Sequence, residues 1–209
     1  MVMPSRLVRV LLVGCVVASF AVHLEAEDES VTLNVSFDNP QAALSFWEQA
    51  VKDEPNNYVA WNNLGQAHAA LAQYEQAIAC SNTAKEIDPT RAEAYSNLGM
   101  AYNELQRFEE AIPYLKKAIE INPDSPQPHN NLGYSYLSTA RPQEAVPHFE
   151  QAIQLDPNYA DAHVGLGVAH RALGRFELAQ HHCSMARDLY ERAGRNQDLQ
   201  VVNQVCGSP

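Results

Sequence analysis

The sequence predicts an all-α fold of the α-solenoid type, in which antiparallel helix pairs stack along the chain. A segment at residues 61–68 recurs every 34 residues, at 95–102, 129–136 and 163–170. Two alanine positions and one proline position keep the same period: Ala77, Ala111, Ala145 and Ala179; Ala84, Ala118, Ala152 and Ala186; Pro89, Pro123 and Pro157. A fixed period of this length indicates like units that each contact only their neighbours.

Residues 1–26 have the pattern of a signal peptide or N-terminal anchor. Two arginines precede an uncharged apolar run at residues 10–22, which is typical of a secretory signal. Cleavage near Ala21 or Ala26 would place the protein outside the cytoplasm, in a periplasm or as a secreted chain. An uncleaved membrane anchor is the alternative, and lipidation at Cys15, which ends a segment similar to a bacterial lipobox, is a third.

Residues 27–38 are expected to form an acidic, extended linker, because apolar and polar residues alternate over 31–37 as they do in a strand. A half repeat follows at residues 39–57. Its spacing matches only the second part of the repeated unit, so it predicts a single helix. Asn39 is the expected N-cap of that helix and Pro40 its first residue.

Four full repeats follow, at residues 58–91, 92–125, 126–159 and 160–193. Each is predicted to hold two helices. A glycine recurs in the first helix and alanines recur in the second, so we expect glycine and alanine to face each other where the two helices approach most closely. The recurring proline biases the residue before it out of the α region and ends each second helix.

The last segment, residues 194–209, is predicted to be a capping helix and tail. Leu199, Val202 and Val205 share one face of a helix over residues 195–206. Terminal repeats need a lid of this kind because their outer faces would otherwise expose apolar surface.

The repeated positions resemble those of the tetratricopeptide repeat (TPR) family over residues 58–191. In order, they hold a large apolar residue, Leu, Gly, an aromatic residue or His, two alanines and proline. The resemblance identifies an exported member with four full repeats and a preceding half repeat. It implies a superhelix of antiparallel helix pairs in which the first helix of each pair lines a concave groove.

The groove implied by this resemblance carries an asparagine at the same position of three successive repeats. An asparagine amide both donates and accepts hydrogen bonds, as the main chain of an extended peptide requires of its partner. The alternative is that these amides bond only to neighbouring backbone. The fourth repeat has Gly165 instead. The peptide-binding candidates are Asn62, Asn63, Gln66, Asn97, Met100, Asn130, Asn131, Tyr134 and Arg171.

Charge and motif content argue against other functional classes. The net charge is −11, and the 14 Lys and Arg residues form no basic stripe, so no nucleic-acid partner is expected. Acidic residues in the groove favour a neutral or basic segment of a partner protein. No motif of a catalytic or cofactor site is present, so we expect no enzyme activity and no cofactor.

The histidines and cysteines predict structure and not metal binding. His163 and His170 fall on repeat positions that other units fill with aromatic residues, so they are expected to pack. His181, His182 and Cys183 are adjacent on a helix and point in different directions. Cys183 and Cys206 form a candidate structural disulfide; the alternative is that Cys183 only fills a large core position.

These observations predict a non-catalytic scaffold that binds an extended peptide segment of a partner, in the cell envelope or secretory space. A self-associating structural unit is the alternative, in which Phe46 and Trp47 of the half repeat, or the strand at 31–37, contact another copy. A third hypothesis is an accessory subunit that presents a substrate protein to a separate enzyme. Membrane contact is expected only through an uncleaved N-terminal segment.

Overall fold

The structure is a computed structural model, and it describes residues 21–27, 30–36 and 39–206. Two strands, β1 (Ala21–Glu27) and β2 (Ser30–Ser36), pair antiparallel, with Ala21 opposite Ser36 and Glu27 opposite Ser30. The extended conformation predicted for residues 31–36 is therefore present, as strand β2. The first 20 residues of the predicted signal peptide, and residue 37, lie outside the described residues.

Ten helices account for most of residues 39–206. Their contacts divide the chain into two compact units, Met1–Ile87 and Asp88–Pro209, which we call unit 1 and unit 2. The helices are α1 (Pro40–Asp53), α2 (Tyr58–Ala70), α3 (Tyr74–Ile87), α4 (Ala92–Glu104), α5 (Phe108–Ile121), α6 (Pro126–Ser138), α7 (Pro142–Leu155), α8 (Ala160–Ala172), α9 (Phe176–Arg192) and α10 (Asn196–Cys206).

In unit 1 the single helix α1 packs on α2, and α2 pairs with α3. The Asn39 side chain accepts a hydrogen bond from the Gln41 backbone N–H at 2.9 Å, and Pro40 is the first helical residue, which confirms the predicted start of α1. The core of the unit consists of Leu44, Trp47, Val51, Ala60, Leu64, Ala67 and Cys80. Trp47 is buried there and Phe46 packs against the same core, so Trp47 is not available to contact another copy.

In unit 2 the helices form the antiparallel pairs α4 with α5, α6 with α7, and α8 with α9, as the repeat period predicts. Each second helix also packs on the first helix of the next pair. In addition, α4 packs on α6 and α6 on α8, so the first helices form a continuous layer. The recurring alanines of the second helices, such as Ala111, Ala145 and Ala186, are fully buried between these layers.

The recurring glycines allow a large side chain of the second helix to reach the backbone of the first. A Cβ placed on Gly99 would lie 2.3 Å from Leu115 Cγ, and one on Gly133 would lie 2.9 Å from Phe149 Cε1. In these two repeats the nearest atoms belong to a large side chain and not to the expected alanine, whereas Cβ atoms on Gly65 and Gly167 would lie 3.3 Å and 3.2 Å from the carbonyl oxygens of the predicted alanines, Ala77 and Ala179. The glycine accommodates the bulkiest core residue of its partner helix, because any side chain at the glycine would occupy the same space.

The turns inside the helix pairs share one conformation. One residue in each turn has a positive φ, and the next backbone N–H donates to a carbonyl five residues earlier, as Arg107 does to Tyr102 and Arg141 to Tyr136. This bond satisfies a carbonyl at the end of the first helix. The positive-φ residues are Ala72, Gln106, Ala140, Gly174 and Gly194. Because Gly194 belongs to the series, the turn from α9 to α10 repeats the turn inside each pair.

Helix α9 is 17 residues long, whereas α3, α5 and α7 each have 14. Glu191 occupies the position where the other full repeats have proline, so nothing stops the helix there and it continues to Arg192. The predicted helix near the C-terminus is present as α10. Its Val202 is fully buried in a cluster with Ala160, Ala186 and Tyr190.

A disulfide joins α9 to α10. The Cys183 and Cys206 sulfurs are 2.01 Å apart and their Cα atoms 6.0 Å apart. Cys183 is also buried against Gly167, in the core position that the sequence pattern assigns to it, so packing and bonding are combined in one residue. Cys80 is a buried free thiol in unit 1, and burial raises its pKa to about 11.

Candidate functional site

The inner face of unit 2 is formed by the first helices of its three pairs. Helix α6 contacts both α4 and α8, whereas the second helices make no comparable contact with one another among the described residues of the unit. Pairs that meet at their first helices and separate at their second helices form a layer that curves toward the first helices. The surface of α4, α6 and α8 is therefore the concave side of this unit, where repeat proteins bind partners.

The repeated asparagines of unit 2 lie on this face at the junction between repeats. Asn97 is buried, whereas Asn131 is half-buried. The Asn131 carbonyl oxygen accepts hydrogen bonds from Asn103 Nδ2 at 3.0 Å and from Ser135 Oγ at 2.9 Å. The same Ser135 hydroxyl also lies 2.7 Å from Asn103 Oδ1, so its single proton is shared between these two acceptors. Asn103 thus fixes one repeat to the next, a buried role that was not predicted from the sequence.

Two amides of α6 have buried atoms that lack a partner. Asn131 Nδ2 and Asn130 Oδ1 are shielded from solvent and make no hydrogen bond within the part of the chain that the structure describes. An unmade hydrogen bond of this kind costs about 1–3 kcal/mol. Most buried polar atoms in proteins are paired, and a ligand on the surface would pair with these two atoms only after the amide side chains rotate toward it.

Tyr134 is the most exposed large apolar side chain of the inner face, with 49% of its surface accessible. Its ring meets the edge of the Phe108 ring, with 5.7 Å between the ring centroids. Met100, on α4, is half-buried, and Arg171, on α8, is exposed. Phe108 is the first residue of α5 and was not among the predicted site residues. Tyr74 and Phe176 are aromatic residues at the same position of other repeats, and this recurrence is the sequence signal that could have found Phe108.

Gly165 interrupts the asparagine series for a steric reason. A Cβ on Gly165 would lie 2.3 Å from Phe149 Cε1. The Phe149 ring is fully buried between Gly133 of its own repeat and Gly165 of the next. No side chain fits at residue 165 while Phe149 keeps this position.

The remaining candidates, Asn62, Asn63 and Gln66, lie on α2 in unit 1. Asn62 is buried, Asn63 is half-buried and Gln66 is exposed. Asn63 belongs to a different unit from Asn97 and Asn131, so the proposed series of three asparagines stays a prediction.

Family models of the tetratricopeptide repeat match residues 57–124, 90–158 and 130–193, an unbroken run from 57 to 193. This chain belongs to the tetratricopeptide repeat family. TPR proteins mediate protein–protein interactions and are typically non-catalytic, and the concave layer of first helices in unit 2 is the surface that repeat proteins of this kind present to partners.

Several solved structures are similar to this chain. A crystal structure of MamA is 25% identical, with a TM-score of 0.65, over 75% of this chain and 91% of MamA. TTC0263, a thermophilic TPR protein of Thermus thermophilus, is 24% identical with a TM-score of 0.66, and the match covers 80% of this chain and 90% of TTC0263. YrrB, a TPR protein with an unusual peptide-binding site, is 18% identical with a TM-score of 0.57, and the match covers 77% of this chain and 90% of YrrB. No curated protein sequence matches significantly.

The first aromatic position of each TPR unit has a structural role. Its side chain hydrogen bonds to the carbonyl of the proline six residues earlier: Trp61 Nε1 to Pro55 at 2.8 Å, Tyr95 Oη to Pro89 at 3.2 Å, His129 Nε2 to Pro123 at 3.1 Å and His163 Nε2 to Pro157 at 3.3 Å. Each bond ties the first helix to the turn that precedes it. His163 and His170 are buried, in agreement with the packing role predicted for them.

Burial favours the neutral form of five histidines in the last two TPR units. Burial lowers the pKa of His148 and of His182 to about 4, and it also lowers the pKa of His129, His163 and His170. As the described side chains stand, no group of three or more His, Cys, Asp or Glu residues among them could hold a metal ion. None of the described helices combines the length and apolarity needed to cross a membrane.

Proposed function

We propose that this TPR protein is a non-catalytic scaffold that holds an extended segment of a partner protein along the first helices of its repeats. The observation that carries the proposal is the pair of unsatisfied amide atoms on α6, Asn130 Oδ1 and Asn131 Nδ2, beside the exposed ring of Tyr134. An extended peptide offers a donor and an acceptor at each residue, so once the two amides rotate toward the groove its main chain can satisfy both while a side chain packs on Tyr134.

The charges of the inner face support a neutral or basic segment as the ligand. Glu93 and Asp161 are exposed near the N-terminal ends of α4 and α8, and Glu104 is exposed at the other end of α4. Arg171 is the one basic residue among the candidates of this face in unit 2. An excess of carboxylates repels acidic segments and accelerates encounter with basic ones.

Peptide binding can be tested with the purified chain and a displayed library of random twelve-residue peptides. Selected peptides are then measured by fluorescence anisotropy against the wild-type chain and an Asn130→Ala/Asn131→Ala variant, which removes the two amides that carry the proposal. Loss of two main-chain hydrogen bonds of about 1 kcal/mol each is expected to weaken binding about 30-fold. Basic or neutral peptides should dominate the selection.

A matched control is Gln154→Ala/Gln180→Ala, which changes two exposed amides on the second helices and should leave the affinity unchanged. Circular dichroism must show equal helicity for all three proteins. If the asparagine variant binds selected peptides as tightly as the wild type, the amides do not hold the ligand and the proposed site is wrong.

We further propose that the protein acts outside the cytoplasm. The N-terminal pattern of two arginines followed by an apolar run supports export, and the Cys183–Cys206 bond supports an oxidising compartment. N-terminal sequencing of the protein recovered from fractionated cells tests this. Cleavage at Ala21 would leave strand β1 intact, whereas cleavage at Ala26 would remove most of it. An intact N-terminus on protein in the cytoplasmic fraction would contradict the proposal.

Self-association is a second candidate, and one observation favours it. Phe176, Leu178 and Met185 of α9 and Val201 of α10 are exposed apolar side chains near the C-terminal end of unit 2. Exposed apolar groups on neighbouring helices can contact another copy. Size-exclusion chromatography with light scattering distinguishes the two cases: a monomer mass that does not change with protein concentration would exclude self-association through these residues.

A further inference from the structure

Each full repeat of unit 2 contains a cluster of three side chains, two from the first helix and one from the second. The three positions hold Tyr95, Tyr102 and Tyr114 in repeat 2, His129, Tyr136 and His148 in repeat 3, and His163, His170 and His182 in repeat 4. We call the last set the imidazole cluster. Tyrosine is accommodated at all three positions in repeat 2: the rings of Tyr102 and Tyr114 are parallel with centroids 5.4 Å apart, and Tyr95 Oη donates to the Pro89 carbonyl at 3.2 Å. Packing alone therefore does not require three histidines in repeat 4.

Two nitrogens of the imidazole cluster face each other at a distance that suits a shared ligand. His163 Nδ1 lies 3.2 Å from His182 Nδ1. Zinc–imidazole bonds are about 2.0–2.1 Å long, so two nitrogens at this separation would subtend an angle of about 100° at the metal, near the tetrahedral value. Imidazole nitrogen is a common ligand for zinc, copper and nickel.

The backbone fixes which nitrogen of His163 is available. His163 Nε2 faces the Pro157 carbonyl oxygen at 3.3 Å, so Nε2 carries the proton and Nδ1 presents its lone pair to the cluster. A carbonyl that accepts the other ring N–H is the usual way in which proteins orient a metal-binding histidine. Without metal, His182 Nδ1–H donates to His163 Nδ1. Metal binding would move that proton to His182 Nε2, and both rings would stay neutral.

A third imidazole is adjacent. The His170 ring stacks on the His182 ring with 5.8 Å between centroids, and His170 Nδ1 is buried without a hydrogen-bond partner among the described residues. His182 is only half-buried and gives solvent ions access to the cluster.

We propose that His163 and His182 bind a divalent late first-row metal ion, such as Zn²⁺, through their Nδ1 atoms, and that His170 completes the site after its ring rotates. The described structure holds no preassembled group of three ligands, so the ion itself would draw in the third imidazole, with water at the remaining position. The site would join α8 to α9 in the repeat that the capping helix covers.

Zinc titration of the full-length, tag-free chain by isothermal calorimetry tests the proposal. One equivalent of Zn²⁺ should bind and raise the melting temperature. His182→Tyr and His163→Tyr place in repeat 4 the residues that repeat 2 already accommodates as Tyr114 and Tyr95, so both variants are designed to fold. Each should weaken zinc binding by about 100-fold or more, because a direct ligand is lost. A Co²⁺-loaded sample should show the visible absorption of a tetrahedral nitrogen site, which packing alone cannot produce.

Two matched variants separate this site from ordinary histidine binding. His129→Tyr/His148→Tyr removes the two histidines of repeat 3, and His181→Ala removes the exposed histidine next to His182. Both should bind zinc like the wild type. The proposal is overturned if the wild type takes up no zinc at micromolar concentrations. It is also overturned if His163→Tyr and His182→Tyr bind normally, or if His181→Ala alone abolishes binding.

Discussion

Phe149 of α7 packs so closely on Gly165 of α8 that a Cβ at residue 165 would lie 2.3 Å from the ring. This relationship explains why the fourth repeat lacks the asparagine that the other three share. The same ring contacts Gly133, so one phenylalanine fills the space that two glycines of successive first helices leave open. Steric exclusion by the core therefore sets where the asparagine series ends, and the fourth repeat contributes no amide at this position.

Gly165→Ala should destabilise the protein, although alanine is the better helix former by about 1 kcal/mol. The added methyl group overlaps the Phe149 ring, and overpacking of this kind costs about 1–3 kcal/mol. Urea unfolding measures the change. In a Phe149→Leu background, where the ring is gone, the same substitution should cost less or stabilise. An equal cost in both backgrounds would show that the ring is not the obstacle.

Removing the disulfide should loosen α10 from the last repeat. The bond closes a loop with a sequence separation of 23 residues, and constraint of a loop of this size in the unfolded chain is worth about 3 kcal/mol. We expect Cys183→Ser/Cys206→Ser to lower the melting temperature and to increase hydrogen exchange in α10. Adding a reductant should lower the melting temperature of the wild type but leave that of the variant unchanged. Cys80→Ser is the control for loss of a buried thiol.

Much of the fold could be predicted from the sequence because its determinants are local and repeated. The 34-residue period predicts the helix pairs, Asn39 and Pro40 predict the start of α1, and the apolar face around Val202 predicts the capping helix. Each of these features acts within one or two turns of helix or at a fixed offset, so a single sequence displays it directly.

The site was less predictable because its contacts join residues far apart in the chain. The hydrogen bond from Asn103 to the Asn131 carbonyl spans 28 residues and depends on the rotation between adjacent repeats. The overlap of Phe149 with Gly165 depends on the same rotation. A repeat pattern shows which residues share a position, but it does not show which neighbour of the next repeat each will meet.

Ala140→Gly should stabilise the protein by about 0.5–1 kcal/mol. Ala140 has a φ of 58°, in the left-handed region where a Cβ costs about 1–2 kcal/mol. Glycine avoids this cost but loses more backbone entropy on folding, so the net gain in stability is smaller than the cost removed. Gly174 occupies the equivalent turn of the next repeat with a φ of 72° and no atom near its would-be Cβ. Gly174→Ala should therefore destabilise. Thermal unfolding compares the two, and changes of the same sign would contradict the argument.

Acid should destabilise the last two repeats through their buried histidines. Burial lowers the pKa of His148 and of His182 from 6.5 in an unfolded chain to about 4 in the fold. Between these values the unfolded state binds more protons than the folded state, so stability is fully present above about pH 6.5 and falls as the pH approaches 4. Urea unfolding at several pH values, with EDTA present, measures the slope. His148→Tyr, which copies Tyr114 of repeat 2, should flatten it. An unchanged slope in that variant would show that other groups cause the acid sensitivity.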